Sequence, residues 1–225
     1  MTVVDALIPR PRGEVVPGVA HVPGWLDRRT QARLVQACRE WARGPAGMRR
    51  VRLPGGGVMS VRTVCLGWHW EPYRYVRQVD GAPVKPFPAW LGDLGRQALA
   101  DARGLSPALA ADPKAADGWD PDVALVNFYD ADARMGLHQD RDERSLAPVV
   151  SFSVGDTGVF RLGNPDGRGR PWRDVPLESG DLLVFGGPNR LAYHGVTRVL
   201  AGTGPSGIGL DAGRLNLTLR VTGLT

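Results

Sequence analysis

The second half of the chain is a series of short apolar segments separated by turns, and this pattern limits the folds open to it. From Val123 onward the segments have strand length and are rich in β-branched and aromatic residues: VALVNFY, PVVSFSVG, GVFRLG, DLLVFGG and RLNLTLRV. The whole chain contains 30 glycines and 19 prolines, which favours many turns over long helices. The sequence therefore predicts a β-rich fold of packed sheets in the α+β class.

Two helices are predicted ahead of these strands. The segment GWLDRRTQARLVQACREWARG has an apolar face at helical spacing, with Asp27 as its cap and Gly44 at its end. A second helix is predicted over residues 89–102, and residues 1–24 are predicted to form an extended arm. We expect a single domain over residues 1–225, in which residues 1–120 support and cover a core formed by residues 121–225.

Charge and cysteine content indicate the class of partner and the cellular compartment of the protein. The net charge is +5, which favours anionic partners such as nucleic acid, although an arginine-rich composition alone explains the same excess. Cys38 and Cys65 are too few for a disulfide framework and fit a reducing compartment. The chain has neither a signal-peptide pattern nor an apolar run of about 18 residues. These features predict a soluble, cytoplasmic protein with no membrane association.

Histidine is rare in the chain, and one histidine precedes an aspartate at a spacing of two. His138 and Asp140 lie in MGLHQDRDE, and a strand there would direct both side chains to the same side. His194 follows the predicted strand DLLVFGG. Two histidines and one carboxylate form a triad that leaves three metal positions open, which suits non-haem Fe(II). A local hydrogen-bonded pair is the alternative for His138 and Asp140.

The last predicted strand carries two arginines on one face. In RLNLTLR, the even spacing puts Arg214, Asn216, Thr218 and Arg220 on the same side. A dicarboxylate would satisfy both guanidinium groups, because each one grips a carboxylate through two hydrogen bonds. The alternative is an exposed polar face on an edge strand.

Taken together, these motifs resemble the AlkB family of Fe(II)- and 2-oxoglutarate-dependent dioxygenases. The resemblance is dense over residues 123–222 and looser from MSVRTVCLGWHWEPYRY to KPFPAWLGDL. It implies a double-stranded β-helix (jelly roll) with supporting N-terminal helices and a nucleotide-recognition lid. It also implies that the chain is a monomeric enzyme using Fe(II), 2-oxoglutarate and O2.

The resemblance assigns residues to the metal and the co-substrate. The iron ligands of the family match His138, Asp140 and His194. Its 2-oxoglutarate contacts match five positions: Asn127, Tyr129, Arg214, Asn216 and Arg220.

The substrate contacts of the family match a second group of residues. Trp68 and Tyr73 resemble the aromatic residues of the lid, with Tyr75 as the alternative because the spacing is two residues shorter here. Asp142 and Glu143 match acidic residues that meet the exocyclic amine of a cationic methylated base, whereas a solvated acidic turn is the alternative. Arg168 matches a substrate-contacting arginine, and Arg170 competes for that role.

The implied reaction is direct repair of alkylated nucleic acid. The enzyme would hydroxylate the N-methyl group of 1-methyladenine or 3-methylcytosine in DNA, with RNA as a further substrate, and would release formaldehyde and succinate. Such chemistry needs a closed pocket and a base flipped out of the stack. One alternative keeps the dioxygenase chemistry and acts on tRNA, another RNA or a protein side chain. The other alternative is a non-catalytic nucleic-acid-binding module.

Overall fold

The short segments of the second half form two antiparallel sheets that pack face to face. The structure is a computed structural model, and it describes residues 9–114 and 118–225. In chain order the strands of this described part are β1 (Gly13–Val16), β2 (Val19–Val22), β3 (Arg49–Arg52), β4 (Val58–Leu66), β5 (His69–Glu71), β6 (Arg74–Val76), β7 (Gln78–Val79), β8 (Ala82–Pro83), β9 (Val123–Tyr129), β10 (Met135–His138), β11 (Val149–Gly155), β12 (Thr157–Leu162), β13 (Arg173–Leu177), β14 (Leu182–Phe185), β15 (His194–Leu200) and β16 (Arg214–Arg220).

The larger sheet has the spatial order β1-β2-β14-β11-β16-β9-β4-β3, and the smaller sheet has the order β10-β15-β12-β13. Two short hairpins, β5–β6 and β7–β8, lie outside both sheets. Each of the five segments that the sequence predicted as strands contains one. The architecture is the double-stranded β-helix that the family resemblance implied.

Helices cover the outer face of the larger sheet. They are α1 (Arg28–Ala42), α2 (Ala89–Arg103) and the single turn α3 (Pro107–Ala110). Asp27 caps α1 by accepting a hydrogen bond from the backbone N–H of Thr30 at 2.7 Å, as predicted. The apolar faces of α1 and α2 pack in one core with residues of β4, β9, β11 and β16. Among the described residues, no helix is both long and apolar enough to span a bilayer.

The predicted N-terminal arm is more regular than expected. Its first eight residues lie outside the described part of the chain, and the remainder forms the β1–β2 hairpin, whose second strand pairs with β14. Gly18 in the turn has φ +80°, and an added Cβ there would lie 2.5 Å from the carbonyl oxygen of Gly186. The arm therefore extends the larger sheet, because glycine permits both the turn and the close approach.

Strand β16 lies at the centre of the larger sheet, between β11 and β9. Its leucines, Leu215, Leu217 and Leu219, pack in the core under the helices. The alternate residues point into the space between the two sheets, where Arg214 and Asn216 bond to side chains of β11. Every residue of β16 is buried, so the strand is not an exposed edge. The predicted shared face is confirmed, and it faces the interior of the sandwich.

A second apolar core lies between the two sheets. It joins Phe160 and Leu162 of β12 to Leu183 and Phe185 of β14. This core fills one part of the sandwich, and the polar residues of β10, β15 and β16 occupy the neighbouring part. The fold therefore brings the predicted metal ligands and the predicted arginines into one interior space.

Candidate active site

Three side chains converge at one end of the smaller sheet. His138 ends β10, His194 begins β15, and the two residues are paired across these strands. Together with Asp140 they offer ligand atoms that all lie within 4.8 Å of one another. Strand β10 ends at His138, so Asp140 reaches the cluster from the following turn and not through strand alternation. The structure thus brings together the three residues that the sequence predicted.

Hydrogen bonds hold both imidazoles in the orientation that a metal requires. The Nδ1–H of His138 donates to the carbonyl of Gly136 at 2.9 Å, and that of His194 donates to the carbonyl of Ala192 at 2.9 Å. Each Nε2 then faces Asp140, at 3.6 Å for His138 and 3.5 Å for His194. Fixing Nδ1 as the donor leaves Nε2 as the ligand atom, which is how proteins commonly orient metal-binding histidines.

The charges in this cluster also fit a cation. Burial lowers the pKa of His194, which favours the neutral, metal-binding imidazole. Burial acts to raise the pKa of Asp140, but Arg220 and His194 outweigh it and hold this pKa well below its usual value. The Oδ2 atom of Asp140 is buried and accepts no hydrogen bond within the described residues, although Arg220 lies 2.9 Å away. A divalent metal between the three side chains would satisfy this oxygen.

Arg214 is a buried cation with unpaired donors. Its Nη2 donates to the Oγ of Ser153 at 3.0 Å, whereas Nε and Nη1 are buried without a partner in the described part of the chain. Burial lowers the pKa of this guanidinium. An unpaired buried cation is costly, so the geometry fits an anionic ligand beside it. The distal carboxylate of 2-oxoglutarate is such a ligand.

A glycine makes room for Arg214. The backbone of Gly158 in β12 lies against the guanidinium, and an added Cβ would stand 2.4 Å from Nε. The guanidinium carbon also lies 5.3 Å from the ring centroid of Tyr129. Burial raises the pKa of this tyrosine to about 12, so its hydroxyl remains protonated. Arg214 therefore has both an aromatic ring and bare backbone as near neighbours.

Arg220 differs from Arg214 because protein carboxylates already surround it. Its Nη1 donates to Glu143 at 2.8 Å, and its Nη2 lies 2.9 Å from Asp140. Only its Nε is buried without a partner among the described residues. The two arginines predicted to bind a dicarboxylate thus differ in their donors. In the described part of the chain Arg214 has two buried nitrogens without a partner, whereas Arg220 has one.

The remaining residues predicted to bind the co-substrate line the same interior and are already engaged with neighbours. Asn127 accepts a hydrogen bond from Thr63 at 2.8 Å through its Oδ1. The amide of Asn216 donates to Ser151 at 2.8 Å and to the carbonyl of Phe152 at 3.1 Å. These contacts fix the amides in place on β9 and β16.

Glu143 occupies a buried position that the sequence did not indicate. Its side chain is 1% exposed and accepts hydrogen bonds from Arg220, from Arg190 at 3.2 Å and from the hydroxyl of Tyr75 at 2.5 Å. A base would have to displace these donors to reach the carboxylate. Asp142 is half-buried and uses one oxygen to accept from the indole N–H of Trp70 at 2.8 Å. Among the described residues, Asp142 has one carboxylate oxygen with no hydrogen-bond donor, whereas both oxygens of Glu143 accept hydrogen bonds.

The residues predicted to form the lid differ in their exposure and contacts. Trp68 is 8% exposed, donates to Asp122 at 3.2 Å and has the guanidinium of Arg77 stacked 3.4 Å from its ring. Tyr73 lies at the turn of the β5–β6 hairpin with φ +71° and is 69% exposed. Tyr75, the alternative, donates a hydrogen bond from its hydroxyl to Glu143 in the acidic turn, the turn after β10 that carries Asp142 and Glu143.

Arg168 and Arg170 lie over different aromatic rings. Its guanidinium carbon is 5.7 Å from the ring of Tyr193, the residue before His194. Arg170 lies instead over the ring of Trp172, at 5.3 Å.

Several residues around the site were missed by the sequence analysis. Phe160 and Phe185 pack on the ring of His194, with centroid distances of 5.6 and 4.9 Å. Trp70 and Arg190 bond to the acidic turn. Both phenylalanines belong to predicted strands, but only the packing of the two sheets decides which aromatic rings face the metal ligands.

Comparison with known proteins identifies similar chains. Residues 18–220 match the pattern of the 2OG-Fe(II) oxygenase superfamily. The "Alpha-ketoglutarate-dependent dioxygenase AlkB homolog" of Caulobacter vibrioides is 41% identical over 92% of this chain and 88% of the relative. The "DNA N(6)-methyladenine demethylase ALKBH1C" of Arabidopsis thaliana is 33% identical over 91% of this chain. This chain spans about half (48%) of that plant protein's length.

A solved structure titled "The structure of OsALKBH1" matches the fold. Its TM-score is 0.81 with 34% sequence identity, and the match covers 92% of this chain and 100% of the solved chain.

Proposed function

The chain belongs to the 2OG-Fe(II) oxygenase superfamily, and from this premise we propose that it removes methyl groups from N-alkylated bases in nucleic acid. The observation that carries the proposal is that one interior holds both the metal-binding triad and Arg214, whose Nε and Nη1 are buried without a hydrogen-bond partner in the described part of the chain. Fe(II) and 2-oxoglutarate are the cofactor and co-substrate that these residues fit. The proposed substrates are 1-methyladenine and 3-methylcytosine in DNA, with RNA as a further substrate.

Separate groups of residues are proposed to bind the metal, to bind the co-substrate and to exclude water. His138, Asp140 and His194 would hold the iron, which with 2-oxoglutarate and O2 supplies the oxidant that hydroxylates the N-methyl group. Asn127, Tyr129, Arg214, Asn216 and Arg220 are the proposed co-substrate contacts. Phe160 and Phe185 keep water from one side of His194 because their rings pack against it. The hydroxymethylated base then breaks its C–N bond and releases formaldehyde.

Substrate recognition is proposed for the lid and the acidic turn. Asp142 has a free carboxylate oxygen that favours a cationic base, because methylation of a ring nitrogen leaves adenine or cytosine positively charged. Trp68, Tyr73 or Tyr75, and Arg168 are the proposed nucleotide contacts. We assign Glu143 to support of the lid and of Arg220, because its carboxylate is buried among three donors.

A second candidate reaction is removal of the methyl group from N6-methyladenine. The name of the Arabidopsis relative supports this candidate, as that protein is called a DNA N(6)-methyladenine demethylase. N6-methyladenine is uncharged, so the carboxylate of Asp142 would contribute little to its binding. The two candidates therefore differ in how strongly they depend on Asp142.

The test is mass spectrometry of methylated oligonucleotides incubated with the protein, Fe(II) and 2-oxoglutarate. DNA and RNA strands carrying 1-methyladenine, 3-methylcytosine or N6-methyladenine should be compared, with His138→Ala as the inactive control. The proposal is supported if a strand loses one methyl group as formaldehyde while an equimolar amount of 2-oxoglutarate is converted to succinate. Succinate production with no demethylation of any strand would indicate another substrate class, such as a protein side chain.

We further propose that the protein acts in the cytoplasm as a monomer. Its two cysteines are free and buried, which supports a reducing compartment. Gel filtration with light scattering measures the oligomeric state.

A further inference from the structure

An exposed tryptophan lies on the loop between β12 and β13. Trp172 is 38% exposed, and its indole N–H donates to the carbonyl of Arg168 at 3.0 Å. Most large apolar side chains of the described chain are buried in its cores. A tryptophan held at the surface by a hydrogen bond presents a flat ring that a partner can stack on.

The loop that carries Trp172 is fixed to the segments that hold the metal ligands. The N–H of Gly163 donates to the carbonyl of Tyr193 at 2.7 Å, and the N–H of Tyr193 donates to Asn164 at 3.0 Å. Gln139, which stands between His138 and Asp140, donates to the carbonyl of Pro165 at 3.1 Å. Trp172 therefore stands on the rim of the site, on backbone that is tied to both ligand segments.

Arginines surround the ring. The guanidinium carbons of Arg161 and Arg170 lie 4.6 and 5.3 Å from its centroid. Arg161 is held by Asp174 through two hydrogen bonds of 2.7 and 2.8 Å. Arg170 and Arg173 are exposed, and neither has a carboxylate within 4.0 Å in the part of the chain that the structure describes. The rim thus combines one stacking ring with two positive charges that no described carboxylate neutralises.

We propose that Trp172, Arg170 and Arg173 form a binding surface for the single strand that flanks the target nucleotide. A base of that strand stacks on Trp172 in place of the guanidinium of Arg170, which then joins Arg173 in contacting phosphate groups. This combination of a ring and free guanidinium groups is how proteins bind single strands without reading their sequence. The inference rests on the proposed function only in taking that strand to be nucleic acid.

Binding of a fluorescein-labelled, unmethylated dT10 strand to the 225-residue chain tests the surface without any turnover. Trp172→Ala should weaken binding roughly five- to hundredfold, the range seen when a stacking aromatic is removed, and Trp172→Phe should restore most of it. The double variant Arg170→Ala/Arg173→Ala should lower the slope of log Kd against log salt by about 1.4, at roughly 0.7 per phosphate contact on a single strand. Anisotropy at several salt concentrations measures both quantities.

The matched control is Arg28→Ala/Arg29→Ala, which removes two exposed arginines from α1, the helix on the outer face of the larger sheet. The salt slope of this control should lie closer to that of the unaltered protein than the slope of the Arg170→Ala/Arg173→Ala variant does. The inference would be overturned if Trp172→Ala binds with wild-type affinity and Arg170→Ala/Arg173→Ala has the wild-type salt slope. Circular dichroism checks that both variants are folded.

The outcome is separate from that of the demethylation test. Weaker binding by the rim variants supports the surface even if no methylated strand yields formaldehyde, and that second result would contradict the demethylase proposal alone.

Discussion

At the scale of single residues, the two arginines proposed to contact the co-substrate differ in their present hydrogen bonds. Arg214 is buried with two unpaired nitrogens, whereas Arg220 is already paired with Asp140 and Glu143. A carboxylate that enters beside Arg214 gains hydrogen bonds that no described residue supplies. A carboxylate that approaches Arg220 competes with two protein carboxylates. Arg214 should therefore contribute more to the affinity for the co-substrate.

Gly158→Ala should weaken 2-oxoglutarate binding, because the new methyl group would occupy the space of the Arg214 side chain. The Cβ would lie 2.4 Å from Nε, so the guanidinium must move away from its present position. We expect a loss of roughly tenfold or more in affinity, or about 1.4 kcal/mol. Isothermal titration of the Mn(II)-loaded protein measures the Kd. Gly57→Ala, where an added Cβ meets nothing within 4 Å, is the control. Equal affinities in both variants would contradict this role for Gly158.

Glu143→Gln should destabilise the protein. Its carboxylate lies between the guanidinium groups of Arg190 and Arg220, so its neutralisation leaves two buried cations less compensated. Breaking a buried ion pair from one side typically costs roughly 3–5 kcal/mol of unfolding free energy. Urea denaturation measures this loss. An unchanged midpoint would show that the buried charge matters little to folding.

Asp142→Asn, one residue away, should leave stability nearly unchanged and lower the activity on cationic bases. Asparagine retains an oxygen that can accept from Trp70, so the free energy of unfolding should change by less than about 1 kcal/mol. The negative charge offered to a cationic base is lost, so repair of 1-methyladenine and 3-methylcytosine should fall. Uncoupled turnover of 2-oxoglutarate should persist. An equal loss of both activities would contradict a recognition role for Asp142.

At the scale of elements, the β5–β6 hairpin is attached to the acidic turn by two hydrogen bonds. Trp70 of β5 bonds to Asp142, and Tyr75 of β6 bonds to Glu143. Neither contact was predictable from the sequence, because both join residues about 70 positions apart through side chains on loops and short strands. The alternation of β16 was predictable, since a period of two is local and needs no knowledge of the partner strand.

Trp70→Phe should loosen this hairpin. Phenylalanine keeps most of the ring but removes the N–H donated to Asp142, a loss of about 1 kcal/mol. Amide exchange in residues 69–76 should become several-fold faster in hydrogen-exchange mass spectrometry. Trp25→Phe is the matched control, because it removes a similar indole hydrogen bond, to Asp101, on the helical side of the molecule. Similar exchange in the two variants would mean that Trp70 does not hold the hairpin.

At the scale of the whole molecule, the two halves of the sequence share one sheet. Strands β1 and β2 extend the larger sheet next to β14, and β3 and β4 extend it next to β9. Helices α1 and α2 cover the outer face of that sheet. The sequence indicated that the first half supports the second, but sheet order depends on long-range pairing and could not be predicted.

We propose, on this basis, that residues 1–225 unfold as one cooperative unit. Calorimetry should give a single transition whose calorimetric and van't Hoff enthalpies agree. A fragment of residues 121–225 should be insoluble, because it exposes the face of Leu217 and Leu219 that the helices cover. Two separate transitions would contradict the single-domain proposal.

The unpaired guanidinium of Arg214 has a consequence for how the protein is handled in the laboratory. A buried cation with no carboxylate partner among the described residues attracts small anions that fit beside it, so sulfate, phosphate or citrate from a buffer should occupy the space proposed for the co-substrate. Activities measured in such buffers will be underestimates, and the inhibition should fall as the concentration of 2-oxoglutarate rises. A cationic buffer such as Tris, with little added salt of oxyanions or carboxylates, avoids this competition at the two nitrogen atoms of Arg214 that have no hydrogen-bond partner among the described residues.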